Sequence, residues 1–160
     1  MPAYRLTVRV SALALAVVAT PTLACETPRP ISPEVVAERA RIHQAEMWMR
    51  SDAVFLSQAG ALERIGLPGG HGFSTKLTPS LALKGDLPTE RIGIRHSTVT
   101  SCGAIPFLDA LVGQEGDWFV TYVRILPSGL SVDATVPLNE LADPDALRAW
   151  RKIADPGPRS

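Results

Sequence analysis

Five stretches of strand character lying between two helical segments predict a mainly β domain: a five-stranded antiparallel barrel of the OB type with an N-terminal and a C-terminal helix. Three observations carry this. Across Asp117 to Leu126, Trp118, Val120, Tyr122 and Arg124 alternate with Phe119, Thr121, Val123 and Ile125, the period of a strand. Turn signals at Gly66 to Gly72, Lys84-Gly85-Asp86 and Pro127-Ser128-Gly129 cut the chain into short hairpin-linked pieces. Short antiparallel strands expose edges, and a closed or nearly closed barrel removes them.

The chain opens differently from the rest. Arg5 and Arg9 precede an apolar run from Val10 to Ala19, Pro21 breaks it, and Thr22-Leu23-Ala24 places small residues before a cut. This is the layout of a secretory signal peptide, and the run is about half the ~20 residues of a membrane span. The expected organisation is a signal peptide over 1–24, one domain over 25–154 and a loose proline-rich tail over 155–160. Export to the periplasm or the medium follows.

Within the domain, Ser32 is placed to cap a helix that starts at Pro33, where proline suits the first turn, and runs to about Arg50. Val35, Ala37, Ile42, Ala45 and Met49 form its imperfect apolar stripe. A first strand opens at Asp52 and runs to about Ile65. The glycines of 66–72 form a hairpin loop, and a second strand covers Phe73 to Leu83. Pro79 inside it implies an edge or a bulge. Arg91 to His96 is a third strand, Ser97 to Gly113 is irregular, Asp117 to Leu126 is the fourth strand and Leu130 to Val136 the fifth. Asp143-Pro144 caps and starts a helix to about Ile153, with Leu147, Trp150 and Ile153 on one side.

Composition narrows the function. The whole chain has 16 basic and 16 acidic residues; removal of 1–24 takes Arg5 and Arg9 and leaves a formal charge of −2. A near-neutral domain offers no footprint for nucleic acid or for an anionic membrane surface. His43, His71 and His96 are far apart and fall in no metal-ligand spacing, so no metal or other cofactor is expected. No nucleophile elbow or phosphate-binding loop is present. Glu63, Asp86, Glu115 and Asp117 lie beside turns, where a solvated surface is commoner than an acid/base pair. Trp48 and Trp150 are expected to cover the barrel, and Trp118 and Tyr122, on one strand face, to belong to the core.

The two cysteines, Cys25 and Cys102, are an even count in an exported chain and suit a disulfide. Such a bond closes a loop of nearly eighty residues, worth about 4–5 kcal/mol in the chain-entropy model. Lipidation of Cys25, directly after the cut, is the rival, although Leu23 stands one position later than a lipoprotein signal places its leucine; free thiols are the remaining alternative.

The order of these features resembles the netrin-like family, and within it the N-terminal domain of tissue inhibitors of metalloproteinases. The matched pieces are Cys25 at the mature N-terminus, a helix leading into Ser51-Asp52-Ala53-Val54-Phe55, and a long strand ending Leu83-Lys84-Gly85. Ser101-Cys102-Gly103 and Gly116-Asp117-Trp118-Phe119-Val120-Thr121-Tyr122 follow. The resemblance implies an OB-like barrel with Cys25 bonded to Cys102. It also implies a recognition ridge made of Cys25, Glu26 and the segment Val99, Thr100, Ser101, Cys102 and Gly103. In the inhibitors, the amino group and carbonyl of the first cysteine grip a protease's zinc. This chain departs from that pattern: Thr27 stands where a second cysteine belongs, and Glu26 would bring a charge into a mostly apolar pocket, which is costly. The expectation is therefore an exported, non-catalytic domain that binds a protein or surface ligand. The alternatives are a metallopeptidase inhibitor acting through Cys25, a lipoprotein anchored at Cys25, and an enzyme with an unrecognised site.

Overall fold

A computed structural model describes residues 31–68, 70–96, 99–100, 103–104 and 108–154, with backbone only for the four residues 99, 100, 103 and 104. The expected signal peptide, both cysteines and the expected C-terminal tail lie outside the described residues. The fold is mainly β, a curled antiparallel half-barrel of OB type with one helix at each end.

Helix α1 spans Pro33–Arg50. Its start is as the sequence dictates: the Ser32 hydroxyl accepts from the Val35 N–H at 3.4 Å, and Pro33 occupies the first turn. Its end depends on a residue more than thirty positions away. Lys84 donates from Nζ to the carbonyls of Trp48 and Ser51, each at 2.6 Å, and the Ser51 hydroxyl donates to the Met47 carbonyl. An ammonium on the last carbonyls answers both their open hydrogen bonds and the helix dipole. The apolar stripe does not face the core. Val35, Ile42 and Met49 are exposed, and the buried side chains are Gln44 and Met47. The few groups that the sheet can cover lie on the opposite side of the helix, so apolar spacing alone did not choose the buried face.

The strands are β1 (Ala53–Ala59), β2 (Glu63–Leu67), β3 (Gly70–Lys84), β4 (Ile92–Arg95), β5 (Val99–Thr100), β6 (Gly103–Ala104), β7 (Trp118–Leu126) and β8 (Gly129–Pro137). β1 and β2 are one broken strand. Leu77 of β3 pairs with Ala59 on one side and Ile92 on the other, and Ser74 pairs with Glu63 on one side and Arg95 on the other. Both β1 and β2 therefore lie opposite β4, on the same side of β3. The sheet then has five strands in the order β4, β3, β1 with β2, β7, β8, all antiparallel. Pro79 faces Ser57 next to a register shift, and the β4 pairing ends at Leu77, so Pro79 has both the bulge and the free side that it needs.

The expected glycine-rich loop is shorter than its composition implies. β2 and β3 continue into it, with Gly66 opposite His71 and Leu67 opposite Gly70. Gly72 is there for space: a Cβ on it would lie 2.7 Å from both the His96 Cβ and the Leu67 Cδ1. Gly85 serves conformation, with φ of +67° at the turn after β3 and the Asp52 carbonyl 2.4 Å from where a Cβ would stand.

Both faces of the sheet are covered. Val54, Leu56, Val120, Tyr122, Ala134 and Val136 pack beneath Met47 and Trp48 of α1 and Trp150 of helix α2 (Pro144–Ala154). The other face carries Ala53, Phe55, Ala59, Phe119 and Val123. Here a 3-10 helix, Asp109–Leu111, bridges toward both sheet edges. Leu108, Ala110 and Leu111 pack with Leu77 and Ile94, and the Ala110 N–H donates to Thr135 Oγ1 of β8 at 3.0 Å. This plug stands where β4 and β8 would otherwise meet to close the barrel; among the described residues they do not pair.

Candidate functional site

Two places on the half-barrel bear on function. The first is the segment that the family resemblance singles out. Val99 and Thr100 form β5, Gly103 belongs to β6, and the two strands pair with Val99 opposite Ala104 and Thr100 opposite Gly103. This small hairpin lies against β3. Its root is fixed by His96, which is buried. The His96 N–H donates to the Phe73 carbonyl, and the Phe73 N–H donates back to His96 Nδ1, both at 2.9 Å. An Nδ1 that accepts leaves the proton of the neutral ring on Nε2. Cys25, Glu26, Ser101 and Cys102 lie outside the described residues, as does the expected disulfide.

The second place is an open cleft of about 720 Å³ at the end of the half-barrel where β7 begins and β8 ends. Its walls are the 3-10 helix Asp109–Leu111 with the turn that follows, the start of β7, and a second 3-10 helix, Leu138–Glu140. Asp109, Asp117 and Glu140 line it together with Val112, Trp118 and Leu138. Trp118 is 42 % exposed, against the expectation of a core aromatic, while Tyr122 four residues on is fully buried. The two do share a strand face, but Trp118 opens β7, beyond the reach of the helices that cover Tyr122.

Local structure makes the cleft rigid. Asp117 Oδ2 accepts from the Gln114 N–H at 2.8 Å, closing the turn before β7. Gly116, at φ of +91°, donates from its N–H to the Ala59 carbonyl, and the Ala59 N–H donates to the Asp117 carbonyl, so the turn is tied to the end of β1. Gly113 leaves room for the Phe119 ring, whose Cζ is 2.7 Å from where a Cβ would stand. On the far wall, Gln44 of α1 donates from Nε2 to the Glu140 carbonyl at 3.0 Å.

The electrostatics centre on Asp109. Its carboxyl is held above the ordinary carboxylate range, first by partial burial and then by the negative charge of Glu140; the positive influence of His43 opposes both. Sequence reading singled out Asp117 and, separately, His43, but not Asp109 or Glu140. Neither stands in a motif, and only the approach of the two 3-10 helices brings them to one recess. Among the described residues, no three His, Cys, Asp or Glu side chains converge to hold a metal ion. No described helix is long and apolar enough to cross a membrane.

Comparison of the chain with protein-family models, with curated proteins and with solved structures gives no match.

Proposed function

We propose that this chain is an exported binding domain without catalytic activity, recognising a protein or surface ligand with the ridge formed by the Val99–Ala104 hairpin and the mature N-terminus at Cys25 and Glu26. The observation that carries the reading is the mounting of the hairpin. A short loop is set against the longest strand of the sheet and pinned at its root by the reciprocal His96–Phe73 bonds. Recognition loops held by a rigid scaffold lose little freedom on binding, which is how such modules gain affinity. Inhibition of a metallopeptidase through the Cys25 amino group is the narrower form of the same proposal. Lipidation of Cys25 is its rival, since it blocks that group.

The test is affinity capture from the exported proteins of the source cell, comparing the parent, Ser101→Arg, and a cleft variant carrying Asp109→Asn with Glu140→Gln. A ligand held by the parent and by the cleft variant, and lost by Ser101→Arg, is the expected result. Retention by Ser101→Arg with loss in the cleft variant moves recognition to the acidic cleft and overturns the proposal. A zinc metallopeptidase inhibited by the parent and not by Cys25→Ser would establish the inhibitor form.

One observation favours a second reading. A carboxyl whose proton affinity is raised, sharing an open cleft with a second carboxylate, is a recognised arrangement for acid/base work. In that reading Asp109 is the acid and Glu140 the base. A hydrolytic activity abolished by Asp109→Asn and untouched by Ser101→Arg would replace the binding proposal.

A further inference from the structure

The stripe of α1 that fails to reach the core has a regular geometry of its own. Val35, Ile42 and Met49 recur at seven-residue intervals within the helix, so they form one nearly straight row along it. Their exposures are 43 %, 47 % and 77 %. Gln44 and Met47, which face the body of the protein, lie on the opposite side, so the row points away from the domain. The helix residues from Pro33 to Arg39 are exposed on every side, and this half of α1 projects beyond the sheet. A second helix could therefore lie along the row without meeting the barrel.

The charges beside the row identify the occupant. Arg39 and Glu46 are both exposed and both flank it on the same side, each four residues after a member of the row. In two copies of α1 laid antiparallel with Ile42 at the centre, position 39 of one falls within one residue of the level of position 46 of the other, on the same side of the seam. The two-fold axis makes the contact twice, placing each arginine against a glutamate. In a parallel pair the two-fold axis runs along the helices and carries Arg39 and Glu46 of one copy to the opposite side of the seam from those of the other, so this contact is lost. We infer that the Val35–Ile42–Met49 row is a self-association surface, through which two copies of this chain pair with their α1 helices antiparallel.

One helix face covers less than the roughly 800 Å² per partner of a standard stable interface. The dimer is accordingly expected to be weak and reversible, forming between about 1 µM and 1 mM. Sedimentation equilibrium of the intact purified chain across that range tests it. The parent should shift from monomer to dimer as concentration rises. Ile42→Glu should weaken association by at least about tenfold. Arg39→Glu and Glu46→Arg should each weaken it singly, and the double exchange should restore it, because only a second copy carries both changes to the matching positions. All three substituted positions are solvent-exposed, and unchanged thermal melts would show that the fold is retained. A chain that stays monomeric throughout, whether its own terminal segment or an unrelated partner covers the row, overturns the inference. So does a dimer indifferent to Ile42→Glu, or one that the double exchange fails to restore.

Discussion

At the scale of single residues, the most informative side chain is Tyr122. It sits fully buried under the two helices, and its hydroxyl has no hydrogen-bond partner among the described residues. Burial, and after it the charge of Asp143, pushes the phenol well above its ordinary value, so it stays protonated. Its ring fills the core beside Val54, Leu56 and Val120, while its oxygen bears the full cost of desolvation. Tyr122→Phe keeps the ring and removes the burden. Its melting temperature is therefore expected to equal or exceed the parent's, corresponding to a gain of about 0–2 kcal/mol. A clear fall in chemical denaturation would show that the hydroxyl is hydrogen-bonded in solution. The sequence alone placed this tyrosine in the core by strand alternation, but it gave no sign that the hydroxyl would find no partner.

At the scale of elements, Gln44 joins one end of the chain to the other. Its Oε1 accepts from the N–H groups of Ala142 and Asp143, and its Nε2 donates to the Glu140 carbonyl. Asp143 in turn caps α2, its Oδ1 accepting from the Ala146 N–H at 2.6 Å. Replacing Gln44 with alanine leaves three backbone groups near the core without partners and is expected to cost about 2–4 kcal/mol, measured by urea unfolding. In the β7–β8 hairpin, Asp133 pairs with Arg124 and accepts from the Ser131 hydroxyl, and the arginine holds its carboxyl below the ordinary range. A lowered value means that the stabilisation is complete above the unfolded-state value near 4 and disappears as the pH falls through the folded-state value. The difference in melting temperature between the parent and Asp133→Asn should thus be present at pH 7 and shrink as the pH drops below about 4. An Asp133→Asn variant that matched the parent at neutral pH would mean that this surface pair contributes nothing.

At the scale of the whole molecule, a plugged half-barrel carries a hairpin ridge against β3, an acidic cleft at the end where β7 begins, and an outward-facing row on α1. Export would decide how the ridge is completed, because cleavage after Ala24 makes Cys25 the first residue. The exported protein is expected to begin at Cys25, to have a mass two hydrogens below that of the reduced chain, and to resist thiol labelling when denatured without reductant. Intact mass with N-terminal sequencing measures all of this at once. A lipid-sized mass increase would establish the anchored form, and two labelled thiols would remove the Cys25–Cys102 bond from the ridge.

Sequence by itself determined what depends on neighbours along the chain. Ser32 with Pro33 and Asp143 with Pro144 set the starts of both helices, because capping needs only the next three residues. Alternation set β7, and Pro127-Ser128-Gly129 set its hairpin with β8, because strand period and turn chemistry are local. Pro79 announced its bulge for the same reason. Tertiary structure decided which side of each element is covered. The apolar row of α1 is turned outward because the sheet buries Gln44 and Met47 instead, and Trp118 is open because β7 outruns the helices above it. It also decided the cleft: Asp109 and Glu140 are 31 positions apart, and only the plug beside β8 brings Asp109 under the influence of the Glu140 charge. Burial and electrostatics depend on neighbours in space, which no local pattern in this chain encodes.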